Sequence, residues 1–280
     1  MKAPVAFAGE PGAFAEDAVL VAFGDVERIA VGTFRDVFTA VTGGRAVAGV
    51  VPIENLLNGS VRENYDLLLE HDLEVVGEVV VPVRLCLASL PGQALDDIER
   101  VYSHVQALGQ AEAFLRSRPW STLTTYNTAG AGKLIRDAGE RGAAAVLSPR
   151  AAALFGLEVL ATDIQGDRDN RTRFLIVAGP ATDPGLLRPV AAGAYRTTLV
   201  FTVRNEPGTL LRALGTFADH HVNLSSLESR PSRTGAWEYV FWADLDAARD
   251  DPACAAAIVD LRAVTTTVRV VGSYPQAPGG

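Results

Sequence analysis

The sequence predicts an α/β protein of two domains in tandem, on three observations. From Val5 to Val177 short apolar runs alternate with amphipathic helical stretches. A stretch rich in Gly, Pro and Ala at 178–194 interrupts that pattern. Beyond it the order becomes strand, helix, strand, strand, helix, strand, a ferredoxin-like unit. The chain has 280 residues, enough for two modest domains on a soft prior of about 150 residues each.

The elements follow in order. Val5–Ala8 reads as a strand, and Pro11-Gly12 turns the chain into a helix carrying Phe14, Ala18 and Ala22. After a strand at Ile29–Val31, Phe34, Val37, Phe38 and Val41 recur at the spacing of one helix face. Ala46–Val51 is a strand expected to stop at Pro52. Ser60-Val61-Arg62-Glu63 reads as a capping box opening the next helix. Such βαβα order implies a largely parallel sheet. The apolar stretch Leu73–Leu90 is expected to cross to a second lobe, with strands near Arg100–Tyr102, Thr122–Tyr126 and Ala144–Leu147, each followed by a helix. Two more strands, Leu157–Thr162 and Thr172–Val177, are expected to return to the first lobe. Two lobes joined by two crossings form a cleft, by analogy with periplasmic binding proteins. In the last domain Thr197–Val203, Val222–Ser229 and Trp237–Asp244 read as strands, and Pro207–His221 as a helix burying Leu210, Leu214 and Phe217. A second helix carries Cys254, Ala257, Ile258 and Leu261 on one face, and Val264, Thr266, Val268 and Val270 alternate in a last strand.

Composition narrows the function classes. The hydrophobic share of 48% supports a packed core, and the net charge of −8 argues against a nucleic-acid or anionic-membrane surface. No apolar run reaches the ~18 residues that read as a transmembrane span. Met1–Phe7 is too short for a secretory signal, so a cytoplasmic protein is expected. Cys86 and Cys254 fall in different domains without metal-ligand spacing, which reads as two reduced thiols. No metal is expected.

Three segments could carry chemistry. Glu54-Asn55 follows a strand end, where open α/β sheets bind ligands, although an exposed turn reads the same way. Ser103 and Gln106 form a capping box, and Ser103, Gln106 and Gln110 would then share a polar helix face, solvated or ligand-binding. Asn170-Arg171-Thr172-Arg173-Phe174 brings two arginines to a strand entrance, suited to carboxylates or simply to solvent. In the last domain Glu206-Pro207-Gly208-Thr209-Leu210 is a turn before a helix, whose free N–H groups suit a carboxylate. Asn223-Leu224 and Glu228-Ser229-Arg230-Pro231 lie on the next strand, where charge and proline also blunt a sheet edge.

Together the segments Val51-Pro52-Ile53-Glu54-Asn55, Tyr102-Ser103-His104, Thr172-Arg173-Phe174 after an Asn, and Glu228-Ser229-Arg230-Pro231 resemble the prephenate dehydratases. The resemblance runs from Phe7 to near Ser273. It implies a bilobed catalytic domain at 1–179 with its second lobe at about 81–156, a linker at 180–194 and an ACT regulatory domain at 195–275. It also implies conversion of prephenate to phenylpyruvate with no cofactor, phenylalanine as effector, and a homodimer or homotetramer. By the same resemblance Thr172 is catalytic and Glu54, Asn55, Ser103, Gln110 and Arg173 line the substrate pocket. Gly208, Thr209, Leu210, Asn223, Leu224, Glu228, Ser229, Arg230 and Pro231 form the effector region.

The implied chemistry suits these residues. Arg173 can hold the carboxylate that stays, and Thr172 can donate a hydrogen bond to the departing hydroxyl. Four positions depart from the family pattern: Leu56 where Ser or Thr usually follows Glu-Asn, Asn64 for Thr, Val105 for Pro and Thr209 for Ala. Leu56 keeps a non-aromatising prephenate decarboxylase open, arogenate dehydration is a second rival, and a non-catalytic amino-acid sensor or a solute-binding protein a third.

Overall fold

The structure, a computed structural model, describes residues 4–180, 182, 194–231 and 239–277. Met1–Ala3, most of the expected linker 180–194 and the expected strand start at Trp237 lie outside the described residues. The chain divides into two compact units, residues 1–71 with 79–175, and residues 72–78 with 176–280.

From residue 4 to residue 178 the elements begin with β1 (Val5–Ala8), α1 (Phe14–Phe23), β2 (Arg28–Val31), α2 (Phe34–Thr42), β3 (Ala48–Asn55), β4 (Gly59–Ser60) and α3 (Arg62–Glu70). They continue with β5 (Glu74–Pro82), β6 (Cys86–Ser89), β7 (Arg100–Ser103), α4 (Val105–Gln110), α5 (Glu112–Leu115), β8 (Ser121–Thr124), α6 (Thr128–Ala138), β9 (Ala143–Leu147), α7 (Pro149–Leu154), β10 (Glu158–Ala161) and β11 (Arg171–Ala178). Strands β5 and β11 run across the division between the units.

Two lobes result. In the first, β1 is flanked in parallel by β2 and β3, and β11 lies on the other side of β3. Apolar side chains bury there at strand and helix periods: Phe7, Val50, Val51 and Ile53 from the sheet, Ala18, Val37 and Phe38 from the helices. The second lobe is a five-stranded sheet of order β10-β6-β9-β7-β8. Its core holds Leu85, Leu87, Val101 and Val146 on one face, and Ile135, Ala145, Leu147 and Phe155 on the other.

Several local expectations need correction. The strand at Glu158–Ala161 does not return to the first lobe; it pairs antiparallel with β6 in the second. Pro52 does not stop its strand, because the β1 ladder covers Ala48–Val50 and the β4 pairing starts at Glu54, so neither asks for a proline N–H. Ser60 is not an N-cap: it pairs with Glu54 as part of β4, and helix α3 starts after Val61. Ser103 belongs to β7 and not to the following helix. His104 caps that helix, its ring accepting from Gln106 N at 3.4 Å, so Ser103, Gln106 and Gln110 share no helix face.

The lobes are fastened at the Gly9–Ala13 turn. Glu10 of the first lobe accepts from Tyr126 Oη at 3.0 Å and pairs with Lys133 at 3.0 Å. Local desolvation of its hydroxyl at this contact, together with the Glu10 carboxylate, pushes the Tyr126 phenol up to about 12. Ser148 donates to Gly12 O at 3.0 Å. Gly12 has φ +90°, and a Cβ there would meet the Ala151 Cβ at 2.7 Å, so the approach needs glycine. Glu16 is buried, accepts from Gly12 N, and pairs with Arg28 of its own lobe and Arg150 of the other.

In the second unit β12 (Tyr195–Thr202), α8 (Thr209–Asp219), β13 (Leu224–Pro231), β14 (Tyr239–Leu245), α9 (Pro252–Val264) and β15 (Thr267–Pro275) complete the βαββαβ order, with sheet order β13-β14-β12-β15. Val264 ends a helix and does not begin the last strand. Cys254, Ala257, Ile258 and Leu261 pack with Leu199, Phe201 and Phe217. Residues 72–78 group with this unit. Glu78 accepts from Arg196 Nη1 at 2.7 and 2.8 Å and from Ala277 N, and Val75 pairs with Gly272, where a Cβ would lie 2.1 Å from Val75 O. Both cysteines are buried, and burial pushes the Cys86 thiol up to about 12.

The Glu16 cluster generates a stability prediction. Burial opposes its charge, but Gly12 N–H, Arg150 and Arg28 outweigh it and hold the carboxyl below its ordinary value of 4.5. A lowered folded value stabilises above the unfolded pKa and is lost as pH falls through the folded one. Glu16→Gln is expected to cost on the order of 2 kcal/mol at pH 7, less than a fully buried pair because Arg28 and Arg150 are 28% and 30% exposed. Thermal denaturation against pH checks this: the gap from wild type should hold above pH 4.5 and close below it.

Candidate active site

The site is built where β3 ends beside the start of β11. On a strand neighbouring side chains point to opposite faces. Glu54 and Asn55 therefore diverge, as do Thr172 and Arg173. The contacts follow that division. Asn55 meets Thr172, and Glu54 meets Arg173 at 3.6 Å.

Asn55 is buried and its side chain is saturated. Its Oδ1 accepts from Leu57 N at 3.2 Å and Asn58 N at 3.0 Å, closing the turn into β4. Its Nδ2 donates to Thr172 Oγ1 at 2.9 Å and Asn170 Oδ1 at 2.9 Å, with Arg171 O at 3.1 Å. Rotating the amide would set Nδ2 against two backbone N–H groups, so its orientation is determined by its partners. Thr172 Oγ1 must therefore accept from Asn55. A hydroxyl has one proton to donate, and that proton stays available for a third group. Thr172 is half-buried. An amide N–H cannot take the hydroxyl proton, so Asn55 orients the Thr172 hydroxyl without acting as a base on it.

Arg173 is 12% exposed and faces the 48% exposed Glu54 carboxylate. A carboxylate ligand would have to compete with Glu54 for this guanidinium. Ser103 sits at the end of β7, fully buried, and donates its hydroxyl to Val146 O at 2.6 Å. Gln110 ends α4, and its backbone carbonyl accepts from Gly166 N at 2.9 Å. The structure thus gathers Glu54, Asn55, Thr172 and Arg173, while Ser103 and Gln110 stand on the second lobe. Leu56 is 65% exposed beside this group, its backbone N–H donating to Arg171 O. Asn64 is buried and donates to Pro52 O at 2.6 Å, bracing β3. Asn170 belongs to the gathered group, and sequence reading assigned it no role. Its signal was the i, i+2 spacing to Thr172, which puts both on one strand face. Among the described residues no group of three or more His, Cys, Asp or Glu is placed to hold a metal ion.

In the second unit Gly208 takes φ +83° ahead of α8, which no side chain caps. Thr209 turns inward, donating to Arg204 O and Glu206 O. Leu210 and Leu224 pack on the core. Asn223 donates to Asp246 at 2.6 Å. On β13 exposure alternates, so Glu228 and Arg230 share one half-buried face while Ser229 and Pro231 are exposed on the other.

A family description, prephenate dehydratase, matches residues 5–182, and a second, ACT domain, matches residues 197–263. Arogenate dehydratase/prephenate dehydratase 2 of Arabidopsis thaliana is 40% identical, over 97% of this chain and 72% of that protein. Two solved structures superpose closely, each at 33% identity. One is described as GqqA, a novel type of quorum quenching acylase, with TM-score 0.88 over 98% of both chains. The other is a prephenate dehydratase from Arthrobacter aurescens in complex with L-Phe, with TM-score 0.86 over 97% of this chain and 89% of that one. The chain belongs to the prephenate dehydratase family and carries a C-terminal ACT domain. It is a hydro-lyase, and the reaction of that family is the decarboxylating dehydration of prephenate to phenylpyruvate.

The hydroxyl that Asn55 presents sets an expectation. Thr172→Ala should lower kcat on the order of 100- to 1000-fold, the cost of one preorganised donor. Thr172→Ser should keep most activity, because serine supplies the same oxygen and proton. Steady-state rates on folded variants check both, and an alanine variant with more than half the wild-type rate excludes Thr172 as the donor.

Proposed function

We propose that Thr172 donates to the ring hydroxyl of prephenate as it leaves, and that Glu54, Asn55, Ser103, Gln110 and Arg173 form the substrate pocket. The observation that supports this reading is the Asn55 Nδ2 bond to Thr172 Oγ1, in which the hydroxyl accepts and keeps its own proton for the substrate. In the reaction the bond from the ring to the departing carboxylate breaks and its electron pair enters the ring. The C–O bond to the hydroxyl breaks at the opposite ring carbon, and the leaving oxygen, held by the Thr172 hydrogen bond, takes up one proton from solvent to become water. Aromatisation supplies the driving force, so the protein needs chiefly to orient the substrate and stabilise the leaving oxygen. The donor geometry at Thr172 also favours lyase chemistry over acyl transfer, which would need a base on the hydroxyl.

The catalytic domain in this reading spans 1–179 with its second lobe extended through β10, followed by a linker at 180–194 and the ACT domain at 195–275. Phenylalanine binds the ACT domain and lowers activity. Gly208 and the uncapped start of α8 offer donors to its carboxylate, and the effector region as a whole comprises Thr209, Leu210, Asn223, Leu224, Glu228, Ser229, Arg230 and Pro231, of which one face of β13 at a time can meet the ligand. Edge strand β13 suits pairing between subunits in a homodimer or homotetramer. Among the described residues no helix is long and apolar enough to cross a membrane. A cytoplasmic location is part of the proposal.

Arogenate is the second substrate reading, because the Arabidopsis relative carries both names. Assaying the purified chain with prephenate and with arogenate separates them: phenylpyruvate is expected from the first, and turnover of arogenate to phenylalanine with none of prephenate would replace this reading. A non-aromatic product would mean decarboxylation without dehydration.

Two further outcomes are expected. Arg173→Lys should raise KM for prephenate about tenfold with a smaller effect on kcat, since a point charge cannot replace a planar fork. Unchanged kinetics would leave Arg173 as the partner of Glu54 alone. Phenylalanine should inhibit the whole chain, and Asn223→Ala should raise the inhibitory concentration about tenfold, within the usual coupling range. Calorimetry and rate assays report both, and no binding of any aromatic amino acid at millimolar concentration would make the ACT domain a structural module.

A further inference from the structure

Asn170 is the one member of the gathered group that the proposed mechanism leaves without work. It is fully buried, and its backbone carbonyl accepts from Val83 N at 2.9 Å, so two segments that cross between the lobes meet at this residue. Its Oδ1 accepts from Asn55 Nδ2 at 2.9 Å. Its own Nδ2 is buried and has no hydrogen-bond partner among the described residues. A buried amide donor without a partner is costly. Leucine would fill a similar volume with no such penalty, so the position is held for the oxygen.

We propose that Asn170 is a positioning residue for the dehydration: its Oδ1 holds the Asn55 amide so that Asn55 donates to Thr172 and leaves the Thr172 proton to the substrate. The proton count carries this. Asn55 Nδ2 has two protons and three acceptors in reach: Asn170 Oδ1, Thr172 Oγ1 and Arg171 O. Asn170 takes one of the two protons, which leaves the other to Thr172. Without it only the Oδ1 bonds from Leu57 N and Asn58 N hold the amide, Nδ2 can tilt toward Arg171 O, and the bond that orients the Thr172 hydroxyl weakens. The orientation of Asn170 is itself determined, because a flipped Asn170 would set its Nδ2 against Asn55 Nδ2. Asn170 does not reach the substrate in this arrangement; it acts through Asn55.

The inference rests on Thr172 as the donor, and the test separates the two. Asn170→Leu and Asn170→Asp are made in the full chain, with circular dichroism and thermal melting to confirm the fold. Asn170→Leu removes the acceptor and is expected to lower kcat more than about tenfold while KM moves less than about threefold, part of the loss seen when a donor is removed outright. Asn170→Asp keeps an oxygen at the same place, protonated or ionised, and is expected to stay within about tenfold of wild-type kcat. A folded Asn170→Leu variant within about tenfold of wild type, or a loss confined to KM, overturns the proposal. So does an Asn170→Asp variant as impaired as Asn170→Leu. If Asn170→Leu does not fold, the Asn170→Asp rate decides by the same limit. Thr172→Ala retaining activity would instead overturn the donor reading; Thr172→Ala inactive with Asn170→Leu unaffected would overturn only the role of Asn170.

Discussion

Asn55 commits both lone pairs of its oxygen and both protons of its nitrogen to bonds inside the first unit. The oxygen closes the turn that leads into β4. The nitrogen reaches the entrance of β11, more than a hundred residues along the chain. A single buried carboxamide therefore joins the end of one strand to the start of another and orients the hydroxyl between them. Such networks are strong when every member is satisfied and weak when one is lost. Here one atom, Asn170 Nδ2, is left over among the described residues.

The two lobes are held by contacts that differ in kind. At the Gly9–Ala13 turn the fastening is polar and charged, with Glu10 and Glu16 of one lobe facing Tyr126, Lys133 and Arg150 of the other. A glycine at residue 12 lets helix α7 approach the backbone directly. Where the chain crosses between lobes the fastening is by backbone: Val83 N to Asn170 O, and Leu85 N to the buried Gln165 side chain at 2.9 Å. Both sets rest on a few directional bonds, and Ala13 and Phe14 of the first lobe add apolar packing on the core of the second.

The second unit shows how a local requirement recruits a distant segment. Arg196 is buried at the start of β12 and needs a counter-charge, which Glu78 supplies with both carboxylate oxygens. Leaving either charge buried alone would be strongly destabilising. Gly272 admits the backbone of Val75 at the same sheet. On edge strand β13 the effector-type residues divide between a half-buried and an exposed face, so only part of that motif can meet one ligand from one side.

Periodicity decided much of this protein before any folding. The 3.6-residue spacing of Val37, Phe38 and Val41, and of Cys254, Ala257, Ile258 and Leu261, named the buried helix faces, because a face is a property of local sequence. The order of elements, the βαββαβ unit and the family motifs followed from the same local record. What the sequence left open were the partners. Nothing local states that Glu158–Ala161 pairs with β6, that residues 72–78 join the second unit, or that Ser60 and Ser103 spend themselves in strands and not in helix caps. A capping box and a strand end share the same residue types, and the choice depends on which acceptor tertiary packing brings within 3 Å. The site divides along the same line. Glu54, Asn55, Thr172 and Arg173 were legible as motif, but that Asn55 takes Thr172 and Glu54 takes Arg173, with Asn170 behind, depends on strand alternation at a contact between segments far apart in the chain. Hydrogen bonds are short and directional, so their partners exist only once the backbone has placed them.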